Sequence, residues 1–138
     1  MATINYSITA SSGNNWTGTF DVDTTGDPAI LSTYVNVTAG AFSIPNSGLN
    51  FKYYPASTGD NYVTWRNYSG VSQYPDGGYS LDIWSASLYT DIITNNYTWS
   101  QIISAPAYSL NSNKNTVFYD YNTPYAPYWC KGGTIDFT

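Results

Sequence analysis

The stretch that decides the fold is INYSITASSGNNWTGTFDVDTTGDP, residues 4–28. Apolar residues recur at every second position on both sides of a polar turn. Ile4, Tyr6 and Ile8 fall on one face of an extended chain, with Asn5 and Ser7 on the other. After Ser11-Ser12-Gly13-Asn14-Asn15, the next run sets Trp16, Phe20 and Val22 to one side. Side chains alternate across a strand with a period of two, whereas a helix gathers them every three or four residues. The spacing therefore predicts two half-buried strands joined by a longish loop, an antiparallel hairpin.

The same alternation continues along the chain. It predicts strands over residues 31–38, 41–44, 49–54, 61–68, 78–85, 99–104, 115–121 and 133–137. Pro45 and Pro55 stop two of them, because proline has no backbone donor for the ladder. Turn chemistry separates the others, in Asn46-Ser47-Gly48, Ser57-Thr58-Gly59-Asp60, Pro75-Asp76-Gly77-Gly78 and Lys131-Gly132-Gly133. One short helix or irregular segment is expected over residues 87–94. Eight to ten short strands at this spacing predict an all-β, single-domain antiparallel β-sandwich spanning residues 1–138, jelly-roll-like or a flattened barrel.

Composition narrows the partners. The formal net charge is -5, and the only cations are Lys52, Arg66, Lys114 and Lys131, scattered along the chain. Neutralising phosphates takes clustered cations, so neither nucleic acid nor an anionic membrane is an expected partner. No apolar run approaches the roughly 20 residues of a membrane span, so no membrane insertion is expected. The first residues, Met1-Ala2-Thr3-Ile4, have neither the basic nor the apolar region of a signal peptide. Charged residues make up 9% of the chain, against about 25% in average domains. Hydroxyl, amide and tyrosine side chains take their place, and aromatics at 18% argue against disorder.

Candidate chemistry is sparse. The chain has no His and no Glu, so a Ser or Cys nucleophile lacks its usual base, and Cys130 stands alone. Zinc and iron lack their usual ligands. No enzyme activity is expected, and a glycosidase would require two of the nine aspartates to meet, such as Asp82 with Asp91 or Asp60 with Asp76. Calcium takes oxygen ligands only. In DVDTTGD, Asp21, Asp23 and Thr25 match positions 1, 3 and 5 of a calcium loop, Gly26 position 6 and Asp27 position 7. Position 12 is Ser32 and no helix flanks the loop, which rules out an EF-hand. A partial calcium loop using Asp21, Asp23 and Asp27 is one reading, and an ordinary strand end and turn is the other.

Aromatics are the second candidate. Tyr53, Tyr54, Tyr62, Trp65, Tyr68 and Tyr74 crowd the middle of the chain among Asn and Ser residues. Those residue types suit stacking on a sugar ring and binding of its hydroxyls, as in a carbohydrate-binding module or lectin. They equally suit the core of a sandwich, where a tyrosine keeps its hydroxyl wet. Exposed polar edge strands offer a further partner, a second copy of the chain.

The order of four segments resembles exported bacterial proteins of the PEP-CTERM type. These are ATINYSITA at residue 2, GTFDVDTT at 18, GGYSLDIWSASLYTD at 77 and GGTIDFT at 132. The Pro-Glu-Pro sorting tail that defines such proteins is not among these residues. The resemblance implies export and a non-enzymatic adhesive or structural role at the cell surface or in an extracellular polysaccharide matrix. It supplies no site residues.

Overall fold

The computed structural model describes residues 2–22, 34–37, 42–45, 50–54, 59–71, 74–120 and 128–138. Within these, side chains are described for residues 3–20, 59–66, 79–120 and 128–138. Ten strands follow in order: β1 (Ala2–Gly13), β2 (Trp16–Val22), β3 (Tyr34–Val37), β4 (Phe42–Pro45), β5 (Asn50–Tyr54), β6 (Tyr62–Val71), β7 (Tyr74–Trp84), β8 (Tyr108–Ser109), β9 (Thr116–Asp120) and β10 (Tyr128–Phe137). Between β7 and β8 lies a small helical insert of α1 (Ala86–Tyr89), a π-helical turn (Thr90–Thr94) and α2 (Trp99–Ser104).

All neighbouring strands pair antiparallel in one sheet, in the order β4-β3-β2-β1-β10-β9-β7-β6-β5, with β8 on β10. The first hairpin forms as its alternation predicts, with Ile4 opposite Phe20 and Ile8 opposite Trp16. The first and last strands meet in mid-sheet, where Asn5 and Thr138 exchange backbone hydrogen bonds of 2.8 and 2.9 Å.

The sheet is curled into a half-barrel. β2 and β6 stand five strands apart, about 24 Å on a flat sheet. Yet the Phe20 and Trp65 rings meet with centroids 4.9 Å apart. The two edges, β4 and β5, are separated in sequence only by residues 46–49, a reach of no more than about 18 Å. A flat sheet would hold them about 38 Å apart. β4 accordingly approaches β6 and β7.

The core fills the concave side. Ile4, Tyr6, Ile8, Trp16 and Phe20 from the first hairpin meet Val63, Trp65, Leu81, Ile83, Phe118 and Ile135. Its centre is aromatic: Phe20 packs on Tyr6 at 5.5 Å and on Trp99 at 4.9 Å, and Trp99 lies 5.8 Å from Phe137. Trp99 comes from α2, so the insert plugs the half-barrel with a ring.

The expected single antiparallel β-domain is therefore present, and three local expectations need correction. Residues 99–104 form a helix, not a strand. The side chain of Thr98 accepts from the Gln101 backbone while the Gln101 side chain accepts from Thr98 N–H at 2.8 Å, a complete capping box. Strand alternation would align Trp99 with Gln101, whereas the helix buries Trp99 together with Ile102. Lys131-Gly132-Gly133 is not a turn but the middle of β10. There Gly132 and Gly133 take φ of 67° and 97°, and β10 changes partner from β9 at residues 128–130 to β8 at 134–135. Pro75-Asp76-Gly77-Gly78 likewise lies inside β7. Among the described residues, only β6 pairs with β7 at Pro75, since β9 reaches only Tyr79 to Asp82, so the missing N–H breaks no inner ladder. The short helix or irregular segment expected over residues 87–94 is helical, formed by α1 and the π-helical turn.

Candidate functional site

The insert exists because the sequence caps it twice. Ser85 leaves β7 in an extended conformation and its hydroxyl accepts from Leu88 N–H, starting α1. Leu88 and Ile92, four residues apart, are both buried and anchor this arm to the core. The chain then widens to a π-turn, with Asn95 N–H donating to Thr90 O at 2.9 Å and Tyr97 N–H to Asp91 O at 2.9 Å. Asn96, at φ 53°, reverses direction before the Thr98 cap, a conformation asparagine tolerates.

Between the π-turn and α2 opens a groove of about 410 Å³, lined by Asp91, Tyr97, Gln101, Ser104, Ala105 and Pro106. Asp91 is fixed in it from two sides. Asn95 Nδ2 donates to Oδ1 at 2.8 Å, and the Tyr108 hydroxyl donates to Oδ2 at 2.8 Å. Tyr108 is buried on β8, with its ring 6.1 Å from Phe137 and edge-on to it, so the core itself holds the carboxylate. Burial first, then the hydrogen bond to Asp91 and the nearby charges of Asp91 and Tyr97, push the Tyr108 phenol above its ordinary range. It stays a neutral donor. Each carboxylate oxygen still has acceptor capacity beyond its one bond. Gln101 spends its Oε1 on the capping box, which leaves its amide N–H groups as donors. Ser104 donates to Ser100 O at 2.9 Å and retains an acceptor. The groove thus offers acceptors, donors and an aromatic ring, the functional groups that hold a polyhydroxylated molecule.

The six aromatics expected from sequence lie on three adjoining strands, β5, β6 and β7. Trp65 is completely buried, between Phe20 at 4.9 Å and Trp99 at 6.2 Å. Tyr62 is half-buried and stacks on Trp84 at 4.1 Å, while Lys114 Nζ stands 5.6 Å from the Trp84 ring. Tyr53 pairs in register with Val63 and Tyr54 with Tyr62, on β5. Tyr68 pairs with Gly78 and Tyr74 with Val71. These four are placed by register alone. Asp21 sits in β2 between Thr3 and Tyr34, whereas Asp23 and Asp27 lie outside the described residues. Among the described residues, no three His, Cys, Asp or Glu side chains gather as metal ligands.

Of the two aspartate pairs, Asp82 and Asp91 have separate partners, and the side chain of Asp76, expected beside Asp60, lies outside the described residues. Asp82 alternates with the core residues Leu81 and Ile83, so it faces away from the core, where Thr64 Oγ1 donates to it at 2.5 Å. Burial raises its pKa, opposed by bonds from Thr64 and Ser80 and by the Arg66 charge. Asp91 lies with Tyr108 on the core side. Asp60 is engaged by Asn111 Nδ2 at 2.8 Å. Cys130 is buried, which pushes its thiol up to about 11.

Gln101, Ser104 and Tyr97 were not among the expected site residues. Thr98-Trp99-Ser100-Gln101 carried the readable signal, a capping-box spacing within a run that looks like a strand. Among the described residues, no helix is long and apolar enough to cross a membrane. Comparison with protein-family models, with curated proteins and with solved structures finds no match for this chain.

Proposed function

We propose that this chain is a non-enzymatic, exported β-domain that works in adhesion or matrix structure at the cell surface by binding carbohydrate. The observation that carries the reading is the groove in the insert, with its pre-positioned Asp91, the Tyr97 ring and the polar groups of Gln101 and Ser104. A carboxylate held by two donors keeps its lone pairs aimed without spending ligand energy on ordering, which is what recognition of sugar hydroxyls requires. Among its described lining residues the groove holds one carboxylate, whereas glycosidases canonically use a pair.

Calcium assistance is not needed at this groove. Calcium takes six to eight oxygens, while both Asp91 oxygens already accept from neutral donors. The export half of the proposal rests on the PEP-CTERM resemblance and on the low charge and hydroxyl-rich composition. The approach of β4 to β6 and β7 supports the finer description of the half-barrel as a flattened, sandwich-like form.

A glycan array followed by titration of the best ligand tests the binding half. Binding should survive a chelator and weaken about tenfold or more in Asp91→Ala, since hydrogen bonds to a charged group contribute roughly 1.5–3 kcal/mol. Silence across neutral, amino and acidic glycans would refute it. For the export half, a gene in which neither a leader precedes nor a sorting tail follows these residues would refute it.

A further inference from the structure

Resting on the carbohydrate reading above, we infer that the groove selects sugars bearing a free amino group, of the glucosamine type, over neutral, N-acetylated and acidic ones. The chemical basis is the charge inventory of the groove wall. Its six residues include one carboxylate, Asp91, and no Lys or Arg. Among the residues whose side chains are described, the cations lie elsewhere: Arg66 is paired in register with Ser80 on β7, Lys114 stands over Trp84, and Lys131 is on β10. Asp91 is held by an amide and a phenol, so its hydrogen bonds are met in part while its charge is met by no cation in the groove wall.

An ammonium group answers that imbalance better than a hydroxyl. It donates to the remaining acceptor sites of Oδ1 and Oδ2 and brings the opposite charge, and charge-assisted bonds are roughly twice as strong as neutral ones. Tyr97 lines the same groove, and an aromatic ring attracts a cation placed over its face. Acetylation removes the charge and leaves only an amide donor. A uronic acid would set a second carboxylate against Asp91 in a chain whose net charge is already -5.

The test is calorimetric titration of the whole chain with glucosamine, N-acetylglucosamine, glucose and galacturonate oligomers of equal length. The pH is held near 5.5, above the ordinary aspartate range and below that of a sugar amine. The glucosamine oligomer should bind about tenfold or more tightly than the glucose oligomer, and salt should shrink the gap. Asp91→Asn, which keeps an oxygen for Tyr108, should abolish the preference. Asp136→Asn, at an exposed carboxylate on β10, should leave it unchanged and so controls for net charge. Equal binding of the glucose and glucosamine oligomers would overturn amine selectivity and leave carbohydrate binding standing. A preference that survives Asp91→Asn, or that falls equally in Asp136→Asn, would overturn the assignment to this groove. Binding of no oligomer at all would overturn both proposals.

Discussion

Replacing Trp99 with alanine tests whether the helical insert is part of the core or an appendage to it. Trp99 is 2% exposed, and its ring contacts Phe20, Trp65 and Phe137, three residues from three different strands. A tryptophan buries on the order of 200 Å², or about 5 kcal/mol at 25 cal/mol/Å². The unfolded chain already hides part of that area, and alanine recovers roughly 0.5 kcal/mol of helix propensity in α2. The expected loss is therefore about 3–4 kcal/mol, within the range for large aromatic truncations. For a chain of this length that corresponds to a fall in melting temperature of roughly 10–15 °C. Urea unfolding followed by fluorescence and circular dichroism gives the midpoint and slope. Trp129→Ala, at a ring 40% exposed, is the reference and should cost less than about 1 kcal/mol. If Trp99→Ala costs no more than Trp129→Ala, the ring does not plug the half-barrel. The groove, whose α2 wall is anchored by that ring, would then lose its rigid support.

Three further outcomes follow from the same geometry. Gly133→Ala should cost about 3 kcal/mol or more, because φ is 97° and a Cβ would run into the Thr9 carbonyl and come within 2.9 Å of Ala10 Cα in the central strand pair. Gly59→Ala, at φ 81° with nothing within 4 Å, should cost only about 1 kcal/mol, and equal losses in denaturant melts would remove the steric argument. Asp82 has a folded pKa raised above the ordinary aspartate value, chiefly by burial, so the folded state holds its proton longer than the unfolded state does. Its contribution is therefore full below the ordinary aspartate range and is lost as pH rises through the raised value. Asp82→Asn should flatten that part of the stability profile, and an unchanged slope in melts at a series of pH values would contradict it. The Cys130 thiol, buried and pushed up to about 11, should resist alkylation at pH 8 in the native state and react once urea unfolds the chain. Rapid native labelling would mean that β10 opens locally.

Most of the sheet was legible because a strand's period is local. Ile4, Tyr6 and Ile8, or Val63 and Trp65, declare their face through neighbours two positions away, and the strands form where those patterns lie. Partnership was not legible. Nothing near Gly132 and Gly133 says whether two glycines make a turn or a twist inside a strand. The answer lies in Thr9 and Ala10 across β1 and in Leu110, whose N–H donates to Gly133 O at 2.9 Å. The site was illegible for the same reason. The sequence offered Asp91 only as a partner for Asp82, and its place in the groove emerges only because Tyr108, 17 residues on, reaches it from the core.

The sequence by itself thus determined the class, an antiparallel β-domain poor in charge, without His or Glu and with one isolated thiol. It left open which aromatics serve the core, since strand alternation looks alike whether a face meets protein or water. Only the tertiary structure decided that Trp65 and Trp99 fill the half-barrel while Asp91, Tyr97, Gln101 and Ser104 share a groove. The physical reason is curvature. Twist and curl bring β2 against β6 and fold the insert over the concave side. Contacts between residues so far apart in the chain carry no local pattern for a sequence to display.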